Sequence, residues 1–137
     1  MIIQKEIILP RYARGFHLIT HHIINALDDL PEVGLLHVFI KHTSAGLTIN
    51  ENADSDVLHD MNAWMDKYVK ENEAFYKHTI EGSDDMPAHI KSSLVGSFLM
   101  IPISNHQLNL GTWQGIYLGE FRNNGGNRKL VISVYTN

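Results

Sequence analysis

Three stretches of this 137-residue sequence concentrate side chains that can bind metal or move protons. The first is His42-Thr43-Ser44-Ala45-Gly46-Leu47-Thr48-Ile49-Asn50-Glu51-Asn52. The second is His59-Asp60. The third is Gly82-Ser83-Asp84-Asp85-Met86-Pro87-Ala88-His89-Ile90-Lys91-Ser92-Ser93. If they converge, His42, His59 and His89 supply three imidazole nitrogens around a divalent ion with an open fourth position. That ligand set favours zinc over magnesium, which prefers oxygen donors. Glu51 or Asp60 would then serve as acid or base, with Asp85 orienting a ligand. The three histidines lack the short fixed spacing of a recognisable zinc motif, and a single histidine is more often merely exposed or hydrogen-bonded. Company in polar segments is what separates these three from His17, His21, His22, His37, His78 and His106, which are read as structural.

Other candidates carry plainer alternatives. Asp84 and Asp85 also suit a helix start, where acidic groups meet free amides. Lys91, Ser92 and Ser93 form a candidate phosphate contact, or a solvated helix face. Ser44 beside His42 lacks the glycine-flanked elbow of a serine nucleophile, so it is read as a ligand contact. Gly111-Thr112-Trp113-Gln114-Gly115 is either a ligand-facing loop, with Thr112, Trp113 and Gln114 as contacts, or a tight turn pinned by tryptophan.

The elements that must position these residues follow from hydrophobic periodicity. Residues 2–9 read as a strand closed by Pro10, and a short extended piece surrounds Gly15–Leu18. Thr20 is placed to cap a helix carrying Ile23, Ile24, Leu27 and Leu30 and stopped by Pro31. Leu35–Ile40 is nearly all apolar, which predicts a strand covered on both faces. Ala45–Asn50 continues as another strand. Between Asp54 and Val69, Val57, Leu58, Met61, Trp64, Met65, Tyr68 and Val69 recur at helical spacing and predict one buried face. A shorter helix is expected over Pro87–Val95. Strands are expected at Phe98–Ile103, Ile116–Arg122 and Lys129–Tyr135, the last two joined as a hairpin through Asn123-Asn124-Gly125-Gly126-Asn127. The sum is an α+β fold ending in a β meander.

Composition narrows the function. Eleven basic against fifteen acidic residues leave a net charge of −4, which argues against nucleic-acid binding. The absence of cysteine excludes thiolate metal sites and cysteine nucleophiles. No apolar run is long enough for a membrane span, and no secretory leader is evident, so the expected location is cytoplasmic.

The polar segments, with Arg14-Gly15-Phe16-His17 and Gly111-Thr112-Trp113-Gln114-Gly115-Ile116, resemble the YjbQ family over essentially the whole chain. The resemblance implies a single YjbQ-like domain over 1–137, built as a two-sheet β-sandwich with two main helices and assembling as a homotrimer. It also implies a secondary thiamine-phosphate synthase activity, a transferase reaction joining hydroxymethylpyrimidine diphosphate to thiazole phosphate. In that case Trp113 would stack on a ring, with Asn50 and Gln114 as hydrogen-bond partners and Lys91 on phosphate. Two other readings stand beside it: a metal-dependent hydrolase of a small phosphorylated or acyl substrate, and a non-catalytic module for a small ligand or metal. No nucleic acid or membrane partner is expected.

Overall fold

A computed structural model describes all residues 1–137. Eleven elements follow along the chain: β1 (Ile2–Ile8), β2 (Gly15–Leu18), α1 (Thr20–Ala26), β3 (Val33–Ile40), β4 (Ala45–Glu51), α2 (Ser55–Tyr68), α3 (Asp85–Val95), β5 (Phe98–Ser104), β6 (Gln107–Leu108), β7 (Gln114–Glu120) and β8 (Lys129–Tyr135). The α+β expectation holds, with three helices and two antiparallel sheets. One sheet has the order β1-β8-β3-β5-β6 and the other β2-β7-β4. Their inner faces share one core, in which Leu36, Val38, Ile101 and Ile132 of the larger sheet meet Leu47, Ile116 and Leu118 of the smaller. Removing that apolar surface from water is the main force holding the two sheets together. No helix is long and apolar enough to cross a membrane.

Four local expectations are corrected. Strand β7 pairs with β2 and β4, whereas β8 pairs with β1 and β3. Residues 123–127 therefore do not close a hairpin; they carry the chain from one sheet to the other. The crossing is fixed by Asn127, whose side-chain amide donates to the Leu9 carbonyl (2.9 Å), and by an ion pair between Arg128 and Glu120. Glycine is required at 125, because a Cβ there would collide with the Glu120 carboxylate.

The strand Val33–Ile40 is covered on one face only. Leu36, Val38 and Ile40 are buried, while Val33, Leu35 and Phe39 remain exposed. The long helix α2 is capped by Asp54, whose carboxylate accepts from the Asp56 amide at 2.9 Å. Its apolar stripe is mostly uncovered, however: only Val69, just past the helix end, is buried, and Trp64 and Tyr68 are more than half exposed. The helix lies along the edge of the smaller sheet, with only Leu58, Met61 and Met65 partly covered by Phe16 and Phe121. Helix α1 stops at Ala26, short of Pro31, and Thr20 is not its cap. The Thr20 hydroxyl instead accepts the Ile116 amide at 2.9 Å, satisfying the backbone of β7.

Candidate metal centre

Helix α3 builds the centre of the site. Asp85 and His89 are one turn apart (i, i+4) and so project from the same face. That face is pressed onto the start of β4: the Ser92 hydroxyl donates to the Ala45 carbonyl at 2.7 Å, and Gly46 admits α3 closely, since a Cβ there would meet the Gly96 carbonyl at 2.9 Å. The third member, His78, comes from the segment between α2 and α3. Tyr76, whose hydroxyl donates to the Lys70 carbonyl, and Ser83, whose hydroxyl donates to Glu71, tie that segment down.

His78 Nε2 lies 2.6 Å and His89 Nε2 3.1 Å from the same Asp85 oxygen, Oδ2. One ligand atom from each of the three residues lies within 4.8 Å of the others, and this is the one group of three such side chains in the chain. The hydrogen-bond chemistry narrows what can sit between these groups. His89 Nδ1 stands 2.8 Å from the Thr43 carbonyl, which can only accept, so Nδ1 carries the proton. In the neutral ring Nε2 then presents a lone pair to a carboxylate oxygen. Two acceptors at that distance require a positive charge between them, either an added proton or a cation. A backbone carbonyl fixing one ring nitrogen while the other faces outward is the usual arrangement of a metal-bound histidine.

Asp85 is held rigidly for this role. Its second oxygen, Oδ1, accepts from Arg122 at 2.7 Å, and the same guanidinium donates to Asp84 Oδ2 (2.9 Å) and to the Glu81 carbonyl (3.0 Å). Burial pushes the Asp85 carboxyl up, but the His78 hydrogen bond and the charges of His89 and Arg122 outweigh it and hold it below the usual carboxylate range. Asp84 is likewise held low: burial raises it, and the Asn123 amide and Arg122 more than compensate. Both groups bind protons more weakly folded than unfolded. Their stabilisation is therefore complete above the unfolded value near ~3.9 and is lost as pH falls through that value toward the folded ones. Urea unfolding between pH 5 and pH 2 is expected to show stability dropping with acid, with a shallower drop in Asp84→Asn.

The other residues singled out from sequence distribute as follows. His42 lines an open hollow of about 310 Å³ that His89 also borders, and its Nε2 accepts the Lys129 amide at 2.9 Å. His59 is on α2, strongly exposed, paired with Asp60 at 3.0 Å; neither is in the cluster. The set brought to ligand distance is thus His78, Asp85 and His89 rather than His42, His59 and His89. Lys91 is buried with its ammonium 2.7 Å from Asp66, which Arg14 also engages, so its charge is spent inside the fold. The Ser44 hydroxyl is buried too, accepting from Arg128 at 3.0 Å.

Asn50, Glu51, Thr112, Trp113 and Gln114 lie at the opposite end of the smaller sheet. Ala45 faces Glu120 in the register and Glu51 faces Gln114. Six residues of strand put about 20 Å between the two ends. At that far end the Tyr117 hydroxyl donates to the Glu51 carbonyl (2.7 Å), Asn50 Nδ2 contacts Met61 Sδ (2.9 Å), and Trp113 is exposed. Sequence reasoning missed His78 and Arg122. His78 stands in Lys77-His78-Thr79 without acidic neighbours, so only the fold's return of this segment to α3 reveals it.

A family model described as "UPF0047 protein YjbQ-like" matches residues 5–137. The chain belongs to this YjbQ-like family. It is 51% identical over 133 residues to the UPF0047 protein YjbQ of Salmonella typhimurium and 48% identical over 133 to that of Escherichia coli O157:H7, each match covering 96% of both chains. A solved structure of an uncharacterized conserved protein of the YjbQ/UPF0047 family from Clostridium acetobutylicum is 39% identical. It superposes with a TM-score of 0.79 over 96% of this chain and 99% of that one. A conserved hypothetical protein from Thermus thermophilus gives 0.83 at 30% identity, covering 93% and 97%. These findings overturn the expectation of thiamine-phosphate synthase and of a transferase. The two curated relatives carry only the family name, the Clostridium protein is described as uncharacterized, and nothing in them points to that reaction. The pairing of buried Lys91 with Asp66 also removes the cation assigned to its phosphate.

Proposed function

We propose that this YjbQ-family protein is a divalent-metal protein whose ion, zinc before magnesium, is held by His78, Asp85 and His89. The observation that carries the reading is the pair of imidazole nitrogens converging on one carboxylate oxygen, with the His89 proton already committed to the Thr43 carbonyl. Two nitrogens and one oxygen match zinc better than magnesium, and three protein ligands leave a coordination position open. When bound, such an ion supplies Lewis-acid polarisation of the kind used in hydrolysis of small substrates. The chain's own residues do the rest. Asp85 supplies negative charge, Arg122 keeps that carboxylate from turning away, and Thr43 fixes the His89 ring.

The test is a zinc titration of the metal-free protein against a competing chelator. One zinc per chain, bound at micromolar concentration or tighter, is the expected result; no competition with the chelator contradicts the reading.

We also propose that the two sheets act as the layers of a sandwich and that chains assemble as a homotrimer through the outer face of the larger sheet. Leu35, Phe39, Phe98, Met100 and Tyr135 stand exposed on that face, and contiguous apolar surface of this kind marks an interface. A sedimentation-equilibrium mass of one chain would exclude the assembly.

A further inference from the structure

The hollow beside His89 has an unusual wall. It is open, about 310 Å³, and none of its seven lining residues is hydrophobic or acidic, in a chain with an acidic net charge. Donors dominate. His42 Nε2 accepts the Lys129 amide, so the neutral ring carries its proton on Nδ1, which no other group of the chain engages. Burial lowers His42 below the ordinary histidine value. The charge of Arg128 lowers it further, Glu120 opposes this, and Lys129 and Lys41 reinforce it. Arg128 is itself ion-paired with Glu120 and Lys41 with Glu6, which leaves Lys129 as the one of these cations without an ion pair. Thr43 and Ser97 line the same wall, and their hydroxyls, free to donate, have no hydrogen-bond partner within the chain. Ser92 and Ser93 are already committed, to the Ala45 and His89 carbonyls. His89 belongs to both the hollow and the His78–Asp85–His89 cluster, so the hollow adjoins the residues that would hold a metal.

We propose that this hollow is the substrate subsite of the metal centre, and that it takes a small polar molecule through an oxyanion head group, a phosphate or a carboxylate, bound by His42, Thr43 and Ser97. The inference rests on the metal reading and adds to it the chemical class of the substrate. An anion satisfies donors that lack acceptors, with Lys129 the neighbouring cation not already held in an ion pair. A cation finds no carboxylate on the wall, and an apolar group would strand the donors.

The experiment is calorimetric titration of the zinc-loaded protein with inorganic phosphate and, separately, with acetate. The variants are His42→Leu, His42→Gln and Thr43→Val, each checked for one bound zinc. Saturable binding of one anion per chain is expected. Loss of one hydrogen bond to a charged group weakens binding roughly tenfold, so His42→Leu and Thr43→Val should each do so, while His42→Gln, which keeps a donor, recovers most of it. Stronger binding of phosphate than acetate assigns phosphorylated substrates, and the reverse order assigns carboxylates. Zinc-loaded protein that ignores both anions, or binds them equally in all variants, overturns this inference alone. Wild type that takes no zinc overturns the metal reading and this inference with it.

Discussion

Asp85→Asn is expected to weaken zinc binding by on the order of 100-fold, with the fold retained. The substitution keeps size and shape but removes the charge that both His78 and His89 address through Oδ2 and that Arg122 holds through Oδ1. Replacing the partners that merely orient a metal's ligands costs roughly 10–100-fold in affinity, so loss of a charged ligand belongs at or beyond the upper end. The matched control is Asp84→Asn. Its carboxylate binds the same guanidinium and the Asn123 amide but lies outside the cluster, so zinc affinity should change little. Chelator competition on both variants reads the difference, and equal affinities would mean that Asp85 is only a structural partner of Arg122.

Arg128→Met should cost about 3–5 kcal/mol of unfolding free energy, because it leaves the Glu120 carboxylate buried and uncompensated. Glu120 is completely inaccessible, and Arg128 contacts both of its oxygens while reaching the Ser44 carbonyl (3.2 Å) and hydroxyl. This pair joins the end of β7 to the start of β8, where the chain changes sheets. The double variant Glu120→Leu/Arg128→Met removes both charges and should recover most of the loss, as apolar replacements of buried pairs generally do. Urea unfolding with unchanged slope tests this. A double variant no more stable than Arg128→Met would mean that the Ser44 bonds, rather than the ion pair, hold the crossing.

What the sequence revealed depended on whether local pattern or distant contact decided the matter. The α2 boundaries were legible because helical periodicity is local, but where its apolar stripe would go was not. Periodicity marks a face that wants cover without saying what covers it, and within one chain Trp64 and Tyr68 stay exposed. The Asn-Gly run before Arg128 reads as a hairpin turn by propensity. The hydrogen bond to Leu9 and the pairing of β8 with β1 and β3 make it a crossover instead, and these contacts are distant in sequence.

The site divides the same way. Asp85 and His89 were both singled out from one segment, but the sequence reading starts the helix at Pro87, and their shared face appears only because α3 begins at Asp85. His78 joins them only because the segment after α2 folds back, and Arg122 only because β7 ends beside α3. Lys91 and Ser44 have residue types suited to binding, and tertiary ion pairing spends both inside the fold. Glu51, Trp113 and Gln114 look contiguous with the histidine segment, yet the strand between them carries them to the other end of the sheet.

The central claim is that His78, Asp85 and His89 hold a divalent ion. The most direct test is the metal content of untagged protein by mass spectrometry after zinc loading, for wild type, His59→Ala and His78→Ala. We expect one zinc per chain in wild type and in His59→Ala, and almost none in His78→Ala. Zinc retained by His78→Ala and lost from His59→Ala would contradict the account.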